Sequence, residues 1–234
     1  MSVPNLLDTS VGDLVAERPD RARVFDALKI DYCCGGGRSL REAAEAKDLD
    51  PDAVVAMVST PSGPDETPAE TWTDRPLDQL IEHIIGSHHN FLRSELPRLS
   101  RHFERVEWAH GEEATWVSEA RGVFTELRDE LVDHMRKEEE IVFPLIQAAA
   151  KGSNGPDTSE LDTDPLHQMI EEHDEAGDAL QKLRRLSNDY TPPEWACPTF
   201  RALINGLRDL ESDMHRHVHK ENHILFPRAR AILN

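Results

Sequence analysis

The chain has 234 residues, enough for one or two domains, with 38% hydrophobic and 30% charged residues. Its 26 Lys and Arg against 45 Asp and Glu leave a formal net charge of −19, which excludes nucleic acid and anionic membrane surfaces as partners, because both select basic patches. No apolar run approaches the ~18 residues of a membrane span, and the opening Met-Ser-Val-Pro-Asn carries no basic region before an apolar stretch, so a cytoplasmic location is expected.

Residues 1–58 read as a small helical domain. Thr9 or Ser10 can cap a helix with Val11, Leu14 and Val15 on its apolar side, and Pro19 marks a break before Val24, Phe25 and Leu28. Asp31-Tyr-Cys-Cys-Gly-Gly-Gly37 cannot continue a helix, since three glycines leave the backbone unconstrained. Ser39 caps a third helix, and Asp50-Pro51 opens a fourth. Residues 59–75, rich in Pro, Ser, Thr and Gly, form a linker. Residues 76–234 then give four long amphipathic segments: helix A over 76–106, B over 112–149, C from Pro165 to about Ser187, and D over 196–232. Pro144 is expected to bend or interrupt the end of helix B. A polar loop covers 151–164, and nothing reads as strand.

The second half of this region repeats the first. His134-Met-Arg-Lys-Glu138-Glu-Glu-Ile-Val-Phe-Pro144 matches His217-Val-His-Lys-Glu221-Asn-His-Ile-Leu-Phe-Pro227 at His, Lys, Glu, Ile, Phe and Pro. His89 precedes His134 by almost the same interval as His173 precedes His217, and matching leucines follow each (Leu96 and Leu99; Leu180 and Leu183). A duplicated helical hairpin makes an all-α, antiparallel four-helix bundle, the architecture whose core holds di-metal sites. The small helical domain precedes it.

Histidine and glutamate at i and i+4 share one helix face. Glu138 and Glu221 fall on core faces, where a carboxylate is kept only with a cation. Lys137 and Lys220 sit about 100° away round the helix and cannot serve. Four imidazoles (His89, His134, His173, His217) and two carboxylates match the ligand chemistry of non-haem iron or manganese. Two metals sharing two carboxylates, with two imidazoles each, use all six and leave positions for water, an oxo bridge, oxygen or nitric oxide. His88 competes with His89, although the repeat offsets favour His89. One of the acidic neighbours of His173 could orient an imidazole, while His215, His219 and His223 are read mostly as surface residues.

Cys33 and Cys34 are adjacent in a chain of three cysteines, which is no disulfide framework. Neighbouring thiols cannot chelate as a Cys-x2-Cys pair does. They can donate thiolates in turn, exchange with a disulfide, or couple redox change to the backbone. Cys197 is read as structural.

These features together resemble a known family. Asp-Tyr-Cys-Cys-Gly-Gly-Gly at 31–37, His88-His89 before Glu95-Leu-Pro97, both His-x3-Glu motifs before Phe-Pro, Glu172-His-Asp-Glu-Ala-Gly177, and Thr191-Pro-Pro with Ala196-Cys197 resemble the iron–sulfur cluster repair (repair of iron centres) di-iron proteins with a hemerythrin-like domain. The resemblance covers nearly the whole chain. It implies two non-haem iron ions with an oxo or hydroxo bridge, held by His89, His134, Glu138, His173, His217 and Glu221, with both glutamates bridging. It implies an iron-transfer or redox role for Cys33 and Cys34. The expected partners are damaged or apo iron–sulfur proteins and small ligands such as nitric oxide or oxygen, and a homodimer is compatible with this reading. The leading function is cluster repair after nitrosative or oxidative stress by iron donation. The alternatives are a nitric oxide reductase or peroxide-consuming enzyme, and an oxygen or nitric oxide sensor. Oxygen-carrying hemerythrins add a fifth histidine, and the repeat offers no clear one.

Overall fold

A computed structural model describes residues 6–60, 71–153 and 164–233. Much of the expected linker and of the 151–164 loop lies outside the described residues. Those described are helical throughout, apart from turns and one isolated bridge between Ser10 and Ser39. The fold is all-α, a small helical domain followed by an antiparallel helical bundle. Among the described residues no helix is long and apolar enough to cross a membrane.

The N-terminal helices are α1 (Val11–Glu17), α2 (Ala22–Leu28), α3 (Leu40–Glu45) and α4 (Pro51–Ser59). Side chains cap three of them: Ser10 accepts from the Asp13 amide, Asp50 from Asp52, and Ser39 and Glu42 form a reciprocal capping box. Lys29, at φ 55°, ends α2 in the left-handed conformation. Val11, Leu14, Phe25, Leu40, Ala44, Val54 and Val58 close one hydrophobic core.

The bundle comprises α5 (Leu77–His83), α6 (Asn90–His110), α7 (Trp116–Lys137), α8 (Phe143–Ala150), α9 (Pro165–Leu186), α10 (Pro198–Lys220) and α11 (Phe226–Leu233). Pro97 lies within α6 without ending it. Leu92, Leu96, Leu99 and Phe103 of α6 are buried, as are Phe124, Leu127 and Leu131 of α7 and Leu180 and Leu183 of α9. Gly206 of α10 permits close packing on α6, since a Cβ there would fall within 2.8 Å of Glu95, Arg98 and Leu99.

Single π-helical turns join α5 to α6 (Ile84–His89), α7 to α8 (Glu138–Val142) and α10 to α11 (Glu221–Leu225). In the last two, the Phe143 amide reaches the Glu138 carbonyl and the Phe226 amide the Glu221 carbonyl, five residues back. Pro144 and Pro227 explain these turns. Each lacks the N–H that would satisfy the carbonyl four residues earlier, and widening the turn by one residue passes the proline without breaking the helix. Pro144 therefore does not interrupt helix B as expected.

The chain divides into two compact units, Met1–Ile81 with His215–Asn234, and Glu82–Met214. The division falls inside α10.

Candidate metal centre

Unit Glu82–Met214 gathers four of the expected ligands. His89 ends a π turn, Glu138 begins one, His134 lies one turn before Glu138, and α9 supplies His173; all four are buried. His89 Nε2 lies 3.2 Å from one Glu138 oxygen, and His134 Nε2 lies 3.5 Å from the other. His173 Nε2 comes to 3.0 Å from His134 Nε2. The Phe143 ring stacks on His89 at 5.8 Å.

The outer nitrogens of two rings are held by carboxylates. His89 Nδ1 lies 2.6 Å from Glu139 Oε1, and His134 Nδ1 lies 2.8 Å from Glu172 Oε2. A carboxylate accepts, so each Nδ1 donates, and each Nε2 faces the buried Glu138. A buried carboxylate needs a balancing positive charge, which a proton on the rings or a metal ion between them and Glu138 can supply. Carboxylate-backed imidazoles are also the usual arrangement of metal-bound histidine. The donor set therefore fits a metal.

Cations steady the two backing carboxylates. Arg93 donates to both oxygens of Glu139 at 2.7 Å, and Lys137 pairs with Glu172. Burial pushes both carboxyls up, but hydrogen bonds outweigh it. His89 and Arg93 leave Glu139 below the usual range, and His134, Lys137 and Gln168 bring Glu172 down to about 2. Beside this cluster, a cleft of about 180 Å³ is lined by His134, His173, Lys137 and four acids, Glu130, Asp133, Glu172 and Glu175.

Unit Met1–Ile81 with His215–Asn234 holds the other pair. His217 and Glu221 are buried, one turn apart, with Nε2 3.1 Å from Oε1. The opposite side of this helix differs from expectation. His219 is buried, and its Nε2–H donates to the Gly12 carbonyl at 2.9 Å. His223 Nε2–H donates to the Cys33 carbonyl at 2.8 Å. His215 Nδ1 meets Asp26 at 3.1 Å, and Tyr32 packs edge-on against His215 and His219. Only His219 of the three is buried, and their i, i+4, i+8 spacing was the signal for a second row of contacts. It is masked by the stronger His-x3-Glu pattern two residues out of phase.

Residues 80–229 match the hemerythrin HHE cation binding domain. The chain belongs to the hemerythrin family. All six expected ligands lie within the hemerythrin match, and Cys33 and Cys34 lie in residues 7–60, which match a domain of unknown function (DUF542). Nearly the whole chain is similar to proteins named iron–sulfur cluster repair protein YtfE. The Yersinia pseudotuberculosis serotype IB relative is 37% identical over 220 residues, 94% of this chain and 96% of its own length. That of Escherichia coli O81 is 37% identical over 225 residues, 96% of this chain and 97% of its own.

Beside the expected ligands, His88 is also buried, but its Nδ1 lies 3.0 and 3.1 Å from the two oxygens of Asp213. Glu139 and Asp213 went unnoticed in the sequence, where each looks like one more acid on a helix; Glu172 is the neighbour of His173 that meets an imidazole. Midway along the DUF542 region, Cys33 is buried and Cys34 half-buried, with sulfurs 3.9 Å apart. The hydrogen bond to Cys34 and then burial push the Cys33 thiol well above its ordinary range.

Proposed function

We propose that this protein carries a di-iron centre and helps repair iron–sulfur clusters damaged by nitrosative or oxidative stress, donating iron to them. The domain division is read as 1–58, a linker over 59–75 and the di-iron bundle over 76–234, in a cytoplasmic protein whose clients are iron–sulfur proteins. One observation carries the reading: buried Glu138 faces the Nε2 atoms of His89 and His134 while Glu139 and Glu172 hold their Nδ1 protons. The sequence repeat extends that logic to His217 and Glu221. His89, His134, Glu138, His173, His217 and Glu221 would hold two irons, with the glutamates shared and an oxo or hydroxo bridge. When bound, iron supplies a Lewis-acidic, redox-active centre open to small ligands.

The protein's own groups then have distinct tasks. Glu139 and Glu172 fix ring orientation and make Nε2 a stronger donor toward a metal. Arg93 and Lys137 keep those two carboxylates ionised. The four acids of the cleft beside His134 and His173 favour a cation over an anion and offer transient ligands to a departing ion. Cys33 and Cys34 are read as the thiols that take part in transfer or redox exchange.

The test is iron transfer. Iron-loaded protein is mixed anaerobically with an iron–sulfur protein whose cluster nitric oxide has broken. Iron should leave as the client's activity returns, and Cys33→Ser with Cys34→Ser should keep the visible spectrum but lose the recovery. Catalytic nitrous oxide release with all iron retained would replace donation by a reductase.

A further inference from the structure

The peptide bond between Cys33 and Cys34 is gripped from both sides. Its N–H, on Cys34, donates to Asp31 Oδ1 at 3.0 Å. Its C=O, on Cys33, accepts from His223 Nε2 at 2.8 Å, with Asn222 Nδ2 at 3.5 Å. The two groups point in opposite directions from one plane, so together these bonds oppose rotation of that plane.

His223 is itself seated between two glycines. A Cβ on Gly12 would come to 2.4 Å from His223 Nδ1, and one on Gly36 to 2.3 Å from His223 Nε2. No other residue type leaves room for the ring at either place.

A disulfide between adjacent cysteines closes a small ring that contains their shared peptide. The sulfurs stand 3.9 Å apart, against a bond length of about 2.05 Å. Closing the ring has to twist that peptide, and the twist is what the grip opposes.

We propose that His223 is a positioning residue that clamps the Cys33–Cys34 peptide and holds the pair as a dithiol, so that oxidation must release His223 from its glycine seat. The proposal rests on Cys33 and Cys34 being the reactive pair. The oxidant class is a low-molecular-weight disulfide, RSSR. The more exposed Cys34 thiolate attacks one sulfur and expels RS⁻. Cys33 gives up its proton, attacks the Cys34 sulfur of the mixed disulfide and expels the second RS⁻. Two protein thiols and one RSSR become one protein disulfide and two RSH.

Full-length wild type, Gly12→Ala and His223→Ala are equilibrated in glutathione redox buffers, trapped with an alkylating agent and weighed. Gly12→Ala places a better helix former in α1 and leaves every expected iron ligand untouched, while excluding the His223 ring. Both variants should form the internal disulfide about three- to tenfold more readily, the scale of one hydrogen bond. The double variant should go no further than either single. An equilibrium within twofold of wild type in both variants, including a pair that stays reduced in all three proteins, overturns the clamp. Should Gly12→Ala fail to fold by circular dichroism, His223→Ala decides. The readout is independent of cluster repair. A shift here, with repair unaffected by the paired cysteine-to-serine change, keeps the clamp and removes only the repair role of the thiols.

Discussion

The two copies of the His-x3-Glu helix share one face and diverge on the other. In the first, His134 and Glu138 are buried, and the neighbouring positions serve the ligands themselves, with Glu139 on His89 and Lys137 on Glu172. In the second, His217 and Glu221 are buried alike, but the opposite row, His215, His219 and His223, holds Asp26, Gly12 and Cys33 of the small domain. The His-x3-Glu face is common to the two copies, and the outer face is not. The lesson is that a helix bearing candidate metal ligands can carry a second set of contacts at a phase two residues away, about 200° round the axis.

Equivalent ligand faces should fail equivalently. Glu138→Gln and Glu221→Gln should each empty the centre of iron, measured as metal per chain, with helicity unchanged by circular dichroism. Full iron retention in either would break the symmetry. The outer faces should respond differently. Phe25 lies in the small domain's core with its ring 6.2 Å from Tyr32. Phe25→Ala should cost about 3–5 kcal/mol and raise amide hydrogen exchange in α1 to α4 and around His219, while exchange around His134 stays slow. Faster exchange at both places would erase the contrast. On the first copy, Glu172→Gln should weaken metal retention about ten- to a hundredfold, read from the rate of iron loss to a chelator. An unchanged rate would remove the carboxylate behind His134 from the argument.

Alkaline stability sharpens the same comparison at smaller scale. Burial pushes the phenols of Tyr32 and Tyr190, one in each unit, above their ordinary value. The folded chain then keeps protons that the unfolded chain releases near pH 10. The stabilisation is complete below that pH and declines above it, by about 1.4 kcal/mol per pH unit for each tyrosine. Urea unfolding at pH 9, 10 and 11 should show this slope, and Tyr32→Phe and Tyr190→Phe should each flatten one share of it. Slopes that ignore both substitutions would contradict the burial of these phenols.

Much of the molecule was legible in its residues. Helical periodicity and caps revealed the helices, because burial of one face and satisfaction of end groups are local requirements. The repeat pointed to six side chains, all of which are buried. The π turns were not legible. Phe-Pro reads as a bend when proline is judged alone, and only the five-residue hydrogen bond shows that the helix absorbs it. Glu139 was missed because its partner, His89, is distant in sequence. Of the histidines at 215, 219 and 223, His219 was misplaced, because a charged, polar stretch looks solvated until the Gly12 carbonyl is seen against it. The choice between His88 and His89 turned on about 100° of helix phase, which offsets in a repeat indicate more finely than periodicity.

The placement of the widened turns shows where the repeat is strict and where it is loose. Both His-x3-Glu helices have theirs at the same point, directly at the glutamate, and both are followed by Phe-Pro. The shared Phe-Pro accounts for the pair, since each proline withholds the same N–H from its helix. The helices bearing His89 and His173 do not match in this way, since one contains such a turn and the other runs as plain α-helix from Pro165 to Leu186. That third widening has no counterpart in the other half, so the two hairpins differ on the first helix and agree on the second.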